Sequence, residues 1–497
     1  MKVFTAQQIH AWDEFTIQHE PISSIDLMER AATKCVDWLL QNNFTKKHIK
    51  IFCGKGNNGG DGLVIARILM QHHVLVTVYI LELGTLGTPD FQTNLQRLHT
   101  TTSNIHFIQN ENFFPQIEKN DLVIDALFGT GLNRPLQNIA AALVQHINTF
   151  NATTIAIDIP SGMSADNASA KNTVIKATHT LTFQNLKLCF FMAENAVCFG
   201  KVHVIDIGLH KSFEIITETT IQTIEKNFIT SIIKKRNTFS HKGNFGHALI
   251  IAGNTRKVGA ALIAAKGCLR SGVGLLTVNI PKEERTTLQI ALPEAMIEIR
   301  EDENIDYNNF TCIGMGSGLG TETNSYNLVK EVLANYKNAM LIDADALNII
   351  SQHKALLQNI PAQSILTPHP KEFDRLFGEH ESEFDRMNTC LALTKQYAFI
   401  IILKNHHTLI ACNGKGWLNT TGNAGLAKGG SGDLLGGIIT ALLAQKYTAL
   451  HAALLGVYLH GLAADIALEN QSVESLLATD VAENIGKAFM CLQEYNY

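Results

Sequence analysis

The chain has 497 residues, 46% of them hydrophobic and 17% charged, with a formal net charge of −5. At about one domain per 150 residues it has room for two large domains or three ordinary ones. Its hydrophobic content excludes an extended disordered chain, and its charge excludes the basic field of a duplex nucleic-acid binder.

Nine scattered cysteines, with no C-x-x-C pair, read as reduced thiols of a cytoplasmic protein, not as a disulfide framework or a zinc ribbon. The N-terminus lacks the apolar core of a signal peptide. No uninterrupted apolar run reaches the ~20 residues of a bilayer helix, so no membrane role is expected.

Residues 5–38 carry the pattern of two helices. Strands are predicted at 49–53, 74–81, 121–125, 153–158, 177–183 and 202–207, with helices at 62–71 and 137–149 between them. This alternation predicts an α/β fold with a mostly parallel, doubly wound sheet. The pattern breaks over 209–240, which ends in the basic run Lys234-Lys235-Arg236 and serves as the predicted junction. A second series follows, with strands at 247–252, 275–280, 311–315, 339–342, 364–366 and 399–403 and helices at 260–271, 433–445 and 450–468.

The first motif, Gly54-Lys55-Gly56-Asn57-Asn58-Gly59-Gly60-Asp61-Gly62, follows a predicted strand and opens a helix. It contains G-x-G-x-x-G, and Glu82 stands about where a ribose-binding acid would sit in a dinucleotide fold. Its glycines let backbone N–H groups face an anion at a helix N-terminus. Asn57, Asn58 and Asp61 add oxygens suited to a polar ligand or a hard cation. Asp125, followed by Gly129-Thr130-Gly131-Leu132-Asn133-Arg134-Pro135, and Asp158, followed by Ile159-Pro160-Ser161-Gly162, end two further strands. Any one of these aspartates could merely cap a loop. Three polar loops at strand carboxyl ends, where ligands of open α/β sheets bind, point to one shared site.

Together these motifs resemble the NAD(P)H-hydrate epimerase domain over about residues 1–215. The resemblance implies interconversion of the R and S forms of hydrated NADH or NADPH. It implies hydrate binding by Asn57, Asn58, Gly59, Gly60 and Asp61, by Gly129 to Pro135 and by Asp158, and a potassium ion held by Asn58, Asp125 and Ser161. Epimerising a carbinolamine carbon needs proton transfer and a stabilised cationic ring, and a nearby carboxylate can do both. Asp158 is assigned that role, with Asp61 as the competitor.

The second motif is Gly422-Asn423-Ala424-Gly425-Leu426-Ala427-Lys428-Gly429-Gly430-Ser431-Gly432-Asp433, ahead of an apolar helix. Glycines this dense leave N–H groups free for an anion, and an aspartate at the mouth can take a hydroxyl proton in phosphoryl transfer. Lys242–Gly246, Gly259–Ala261, Gly314–Gly320, Asp343–Asn348 and Thr367–Phe373 appear in order before it. This set resembles the ribokinase-like, ADP-dependent NAD(P)H-hydrate dehydratase over about residues 230–497.

The resemblance implies two Rossmann-like and ribokinase-like three-layer domains, 1–215 and 230–497, with a junction at 216–229. It implies phosphorylation of the C6 hydroxyl by ADP, with Mg²⁺ bridging the phosphates, then loss of phosphate to restore NAD(P)H. Asp433 would be the base. Ala260, Gly318, His369 and Asp433 would contact the hydrate, and Lys404, Asn405, His406, His407, Thr408 and Gly432 the nucleotide. The family pattern has a small or hydroxyl residue at Lys428, which here either stands beside the phosphates or points outward, and a proline at Ser317.

The implied partners are thus a dinucleotide substrate and an adenine nucleotide, with no nucleic acid and no membrane, in a homo-oligomer. The competing readings are a ribokinase-like kinase of a small alcohol and a non-catalytic nucleotide sensor.

Overall fold

The computed structural model describes residues 1–302 and 305–493. The chain forms two compact units: one spans Lys2–Thr219 together with Ser382–Phe384, and the other runs from Thr220 onward without those three residues. The division at Thr219/Thr220 lies inside the segment predicted as the junction.

The first unit is built on seven parallel strands. They are β1 (Ile49–Cys53), β2 (Val76–Leu81), β3 (Ile105–Ile108), β4 (Leu122–Ala126), β5 (Thr153–Ile157), β6 (His179–Phe183) and β7 (Lys201–Ile205). Their order across the sheet is β3-β2-β1-β4-β5-β6-β7.

Alternate residues of the central strands serve two cores, as the pleat requires. Ile49, Ile51, Leu122, Ile124, Ile155 and Ile157 face the layer that holds α1 (Ala6–His19), α2 (Ser24–Gln41), α3 (Asn57–Gln71) and α4 (Pro89–His99). Phe52, Val123 and Ala156 face α5 (Asn138–Thr149). Burial on both faces explains the unbroken apolar runs, and each such Ile or Leu contributes about 1.5–3 kcal/mol relative to exposure.

Strand β1 lies between β2 and β4. The chain winds away from β1 in both directions, and the crevice at the carboxyl end of this switch point is where ligands of such sheets bind.

Helix α3 starts at Asn57, five residues before the predicted position. Asn57–Asp61 is therefore the first helical turn and not a loop. Asparagine and glycine are poor helix formers, which misled the sequence reading. Tertiary packing decides the matter: a Cβ at Gly59 would stand 1.8 Å from the Gly54 carbonyl oxygen.

The second unit contains β8 (Ile221–Thr223), β9 (His247–Ile251), β10 (Leu275–Ile280), β11 (Met296–Ile299), β12 (Cys312–Met315), β13 (Leu341–Ile342), β14 (Ile365–Leu366), β15 (Ile400–Leu403), β16 (Leu409–Cys412) and β17 (Lys415–Leu418). They run β8-β17-β16-β15-β14-β13-β12-β9-β10-β11. The pairs β15–β16 and β16–β17 are antiparallel and the others parallel. Again the second series switches direction at its first long strand, since β9 lies between β10 and β12. Strand β8 falls in the predicted junction but pairs with β17; three residues are too few to show a period.

Helices α6 (Val258–Arg270), α11 (Ser431–Ala444), α12 (Ala449–Ala467) and α13 (Ala478–Leu492) share one core with β9, β10 and β12. Between α6 and α11 in sequence lie α7 (Thr323–Asn335), α8 (Ala344–Gln352), α9 (Pro370–Phe377) and α10 (Glu383–Gln396). Contrary to the expectation that no segment is long and apolar enough to cross a bilayer, α12 has that length and hydropathy. It is mostly buried in this core, so its composition answers to packing on all sides.

Helices α6 and α11 approach so closely that a Cβ at Gly437 would lie 1.9 Å from the Ala264 carbonyl oxygen. Gly437→Ala is therefore expected to destabilise the second unit by about 1–3 kcal/mol. Gly486 on α13 has open space where its Cβ would be, and Gly486→Ala should be neutral or stabilising by about 0.5–1 kcal/mol. Calorimetric unfolding of the two variants measures both.

Candidate functional site

In the first unit the loops that follow β1, β4 and β5 meet at the switch point. Strand β4 delivers Asp125, which is fully buried. Its Oδ1 accepts from the Ser161 hydroxyl at 2.6 Å and from Leu127 N–H at 3.2 Å, and its Oδ2 accepts from Ser161 N–H at 2.8 Å. Burial pushes the Asp125 carboxyl up to about 6 against these bonds. The Ser161 hydroxyl also accepts from Phe128 N–H at 2.8 Å. Gly129 approaches Asn58 closely: its Cβ position is 3.5 Å from Asn58 Oδ1. Asn58 is buried, and its Nδ2 has no partner among the described residues.

Asp158 directly follows β5 and has φ +67°. A non-glycine residue held there costs about 1–3 kcal/mol, and such outliers cluster at functional sites. Its Oδ1 accepts from Lys187 Nζ at 2.6 Å and from Phe183 N–H at 3.2 Å. Asp61 from α3 and Asp13 from α1 face the same place. Burial, then Asp158 and Asp13, drive the Asp61 carboxyl well above its usual range. Burial, then Asp158, drives Asp13 up to about 7. The site thus gathers three carboxyl groups around one ammonium.

The remaining expected residues divide. Asn57, Gly131, Asn133, Arg134 and Pro135 are exposed, Thr130 and Leu132 half-buried, and Gly59 and Gly60 buried. Glu82 does not stand open to a ribose. It forms an ion pair with Lys55 and accepts from Gly84 N–H at 3.0 Å, so it braces the loop ahead of α3. Asp13 and Lys187 were missed. Asp13 sits in an ordinary amphipathic helix and gives no local signal. Lys187 does give one, a single charge between Leu186 and Leu188 just after a strand.

In the second unit five strand ends contribute. Ser317, between Gly316 (φ +125°) and Gly318 (φ +63°), follows β12, and its hydroxyl lies beside the Asp433 carboxyl, where it favours the ionised form. Asp433 lies in the first turn of α11. Burial, then the neighbouring Asp343, raises its carboxyl to about 6 against the Ser317 bond. Lys404, after β15, donates to Asp343 Oδ1 at 2.8 Å and lies 3.9 Å from Glu372. Burial lowers the Lys404 ammonium, but Asp343 and Glu372 outweigh it and hold it above its ordinary value. A Cβ at Gly432 would sit 3.4 Å from Lys404 Nζ, so this cation stands beside the glycine-rich turn.

His369 caps α9, its Nδ1 accepting from Lys371 N–H at 3.1 Å and Glu372 N–H at 3.3 Å. Acceptance at Nδ1 leaves the ring proton on Nε2. Ala260 in the first turn of α6 is in contact range of Gly318, whose Cβ would be 2.8 Å from it. The turn after β15 is closed by Asn405, whose carbonyl accepts from Thr408 Oγ1 at 3.1 Å and whose side chain accepts from His406 N–H at 2.8 Å. His407 Nδ1 pairs with the Asn419 carbonyl at 3.1 Å. Lys428 is exposed and donates to the Glu474 carbonyl, which leaves Lys404 as the ammonium beside Asp433. The structure therefore joins Asp433, Gly432, Lys404 and Ser317 directly, with Ala260, Gly318 and His369 on adjoining strand ends.

Residues 248–487 match the family described as NAD(P)H-hydrate dehydratase, and residues 24–189 match the YjeF-related protein N-terminus. A bifunctional NAD(P)H-hydrate repair enzyme of Moorella thermoacetica is 31% identical over 99% of this chain and 98% of its own. That of Escherichia coli is 34% identical over 88% and 84%. The crystal structure of an ADP/ATP-dependent NAD(P)H-hydrate dehydratase from Bacillus subtilis, co-crystallised with ATP and Mg²⁺, is 30% identical with a TM-score of 0.50. It covers 56% of this chain and 100% of its own.

Because the Ser317 hydroxyl favours the ionised form of Asp433, Ser317→Ala should raise the Asp433 carboxyl above about 6. Carbon-13 NMR of the carboxyl through a pH titration reads this directly. A midpoint unchanged or lowered would show that the bond contributes nothing.

Proposed function

The chain belongs to the bifunctional NAD(P)H-hydrate repair enzymes, and we propose from that premise how its two centres divide the chemistry. The first unit epimerises hydrated NADH or NADPH, and the second dehydrates one epimer at the expense of a nucleotide. The observation that carries the assignment is that each half sets an aspartate, the buried Asp158 or the half-buried Asp433, beside the carboxyl ends of its parallel strands, close to a lysine.

At the first centre the C6 hydroxyl takes up a proton and leaves as water, and the ring nitrogen's lone pair stabilises the cationic carbon. Water then adds to the opposite face and gives its proton back. The raised carboxyl of Asp61 would give that proton, and Asp158 would face the cationic ring and take the proton from the adding water before returning it to Asp61. Potassium fits beside this centre. Asp125 and Ser161 are hydrogen-bonded to each other, the buried amide of Asn58 lies against Gly129 in the loop after β4, and a half-turn of that amide would exchange its orphaned nitrogen for an oxygen. When bound, the ion supplies positive charge for the substrate's anionic groups.

At the second centre Asp433 removes the C6 hydroxyl proton as the oxygen attacks the terminal phosphoryl group of ADP, leaving AMP. Loss of phosphate from C6 and of a proton from C5 then restores the ring double bond. Gly429 to Gly432 offer N–H groups to the moving phosphoryl, and Lys404 stands beside it. The carboxylates Asp343 and Glu372 are committed to Lys404, which suits a Mg²⁺ ion carried in on the nucleotide's phosphates. The free cysteines support a reducing, cytoplasmic setting.

With mixed hydrate epimers, ADP and Mg²⁺, the wild-type chain should recover the full NADH absorbance. Asp158→Asn should stop early at the S fraction, beyond which only slow spontaneous epimerisation proceeds. Asp433→Asn should lower dehydration by about 10²–10⁴-fold. Since Asp433 must be ionised to act and titrates at about 6, dehydration should fall as pH drops through that value. A stable phosphate ester without absorbance recovery would instead identify a simple kinase.

A further inference from the structure

The side chain of Lys187 is completely buried, although a lysine is almost never enclosed without a reason. Its ammonium makes three contacts that use its three donors: Asp158 Oδ1 at 2.6 Å, Thr182 Oγ1 at 2.8 Å and the Phe183 carbonyl at 2.8 Å. Two of these acceptors belong to the end of β6 and so hold the ammonium still. Phe183 N–H donates to the same Asp158 oxygen at 3.2 Å. Both anchors thus fall on Oδ1, and neither uses Oδ2.

Two costly features coincide here. One is a buried ion pair, which apolar residues of similar volume would match or better for stability alone. The other is the left-handed backbone of Asp158. Their coincidence marks a functional arrangement.

The charges facing Asp158 are few. Asp13 from α1, Cys35 from α2, Asp61 from α3, and Lys187 and Cys189 from the segment after β6 interact with it electrostatically. The carboxyls of Asp13 and Asp61 are both raised, first by burial and then by Asp158. Of the three carboxyl groups, Asp158 alone has the ammonium at hydrogen-bond distance.

We propose that Lys187 is the positioning residue of the epimerase centre: its ammonium fixes Asp158 through Oδ1 and so presents Oδ2 to the hydrated ring. This rests on the reading of Asp158 as the group that handles the proton. Lys187 itself does not touch the substrate.

The test uses the full-length chain without nucleotide, so that the second unit is silent, and follows conversion of purified R hydrate of NADH to S by chromatography. Lys187→Met should lower epimerase kcat by about 100-fold with KM within about twofold of wild type. Its acid limb should move at least about one unit to higher pH, because a buried carboxylate stripped of its cation takes up a proton more readily. The double variant Lys187→Met/Asp158→Asn should be no slower than Asp158→Asn, as expected of residues acting as one unit.

ADP-dependent turnover of the S hydrate should persist in Lys187→Met and reports a folded chain. If it is lost, Thr182→Val decides: loosening the ammonium should cut epimerase kcat about three- to tenfold at constant KM, and a wild-type rate overturns the proposal. A wild-type kcat and pH profile in folded Lys187→Met overturn it too, as does a further loss in the double variant. Full activity in Asp158→Asn would instead overturn the reading of Asp158 on which the proposal stands.

Discussion

A carboxyl group taken out of water must be given a partner or a proton. The chain meets that demand differently at its two centres, and their chemistry follows from the difference. Asp158 has a cation in contact, whereas its neighbours Asp13 and Asp61 have none at that distance among the described residues and are pushed toward their neutral forms. Three neighbouring carboxyls, two of them raised by burial and one paired with an ammonium, suit a reaction that must give and recover the same proton. Asp433 has instead a hydroxyl donor and a cation one carboxylate away, with Asp343 between them in the electrostatic sense. It is left poised near 6, able to accept a hydroxyl proton at neutral pH and to release it later.

Such groups can be held only where backbone polar atoms are also at hand, and the parallel sheet supplies that place. The carboxyl ends of its strands lie along one edge, and the switch points at β1–β4 and β9–β12 open crevices there. The glycines around these crevices answer to distance more than to flexibility. At Gly59 the Gly54 carbonyl, and at Gly437 the Ala264 carbonyl, stand where a Cβ would be. The first contact seats Asn58 and Asp61 within a helical turn, and the second draws α11 against α6 and so fixes where Asp433 begins its helix.

The strands of both sheets were legible because burial on two faces writes continuous apolar runs, as in Ile49–Cys53 or Ile400–Leu403. The short β8 was not: it has three residues, fewer than any period needs. The start of α3 was misplaced because propensity argues against Asn57-Asn58-Gly59-Gly60, while contacts with distant Gly54, Cys53 and Ala126 overrule it. Of the candidate site, the glycine motifs and their aspartates could be read in chain order. The partners that set their ionisation could not, because Lys187 reaches Asp158 across 29 positions and Lys404 reaches Asp343 across 61. Spacing in sequence carries no trace of such a contact. Glu82 is the converse case: its position suggested a ribose, but Lys55, 27 residues away, takes the charge.

The net charge of −5 then has a physical reading. Both ligand classes are polyanions, yet the chain offers no long-range positive field to gather them. What it offers is short-range. N–H groups stand at helix starts capped only by glycine, Gly56 ahead of α3 and Gly430 ahead of α11, and the buried Lys187 and the half-buried Lys404 are already matched to carboxylates. Neither lysine is spare charge for a phosphate at a distance. Each instead sets the state of an aspartate, and the anion is met by backbone dipoles that need no counter-charge of their own. Separating the two duties lets a carboxylate stay close to a phosphorylated substrate, where a freely charged pocket would either repel it or neutralise it.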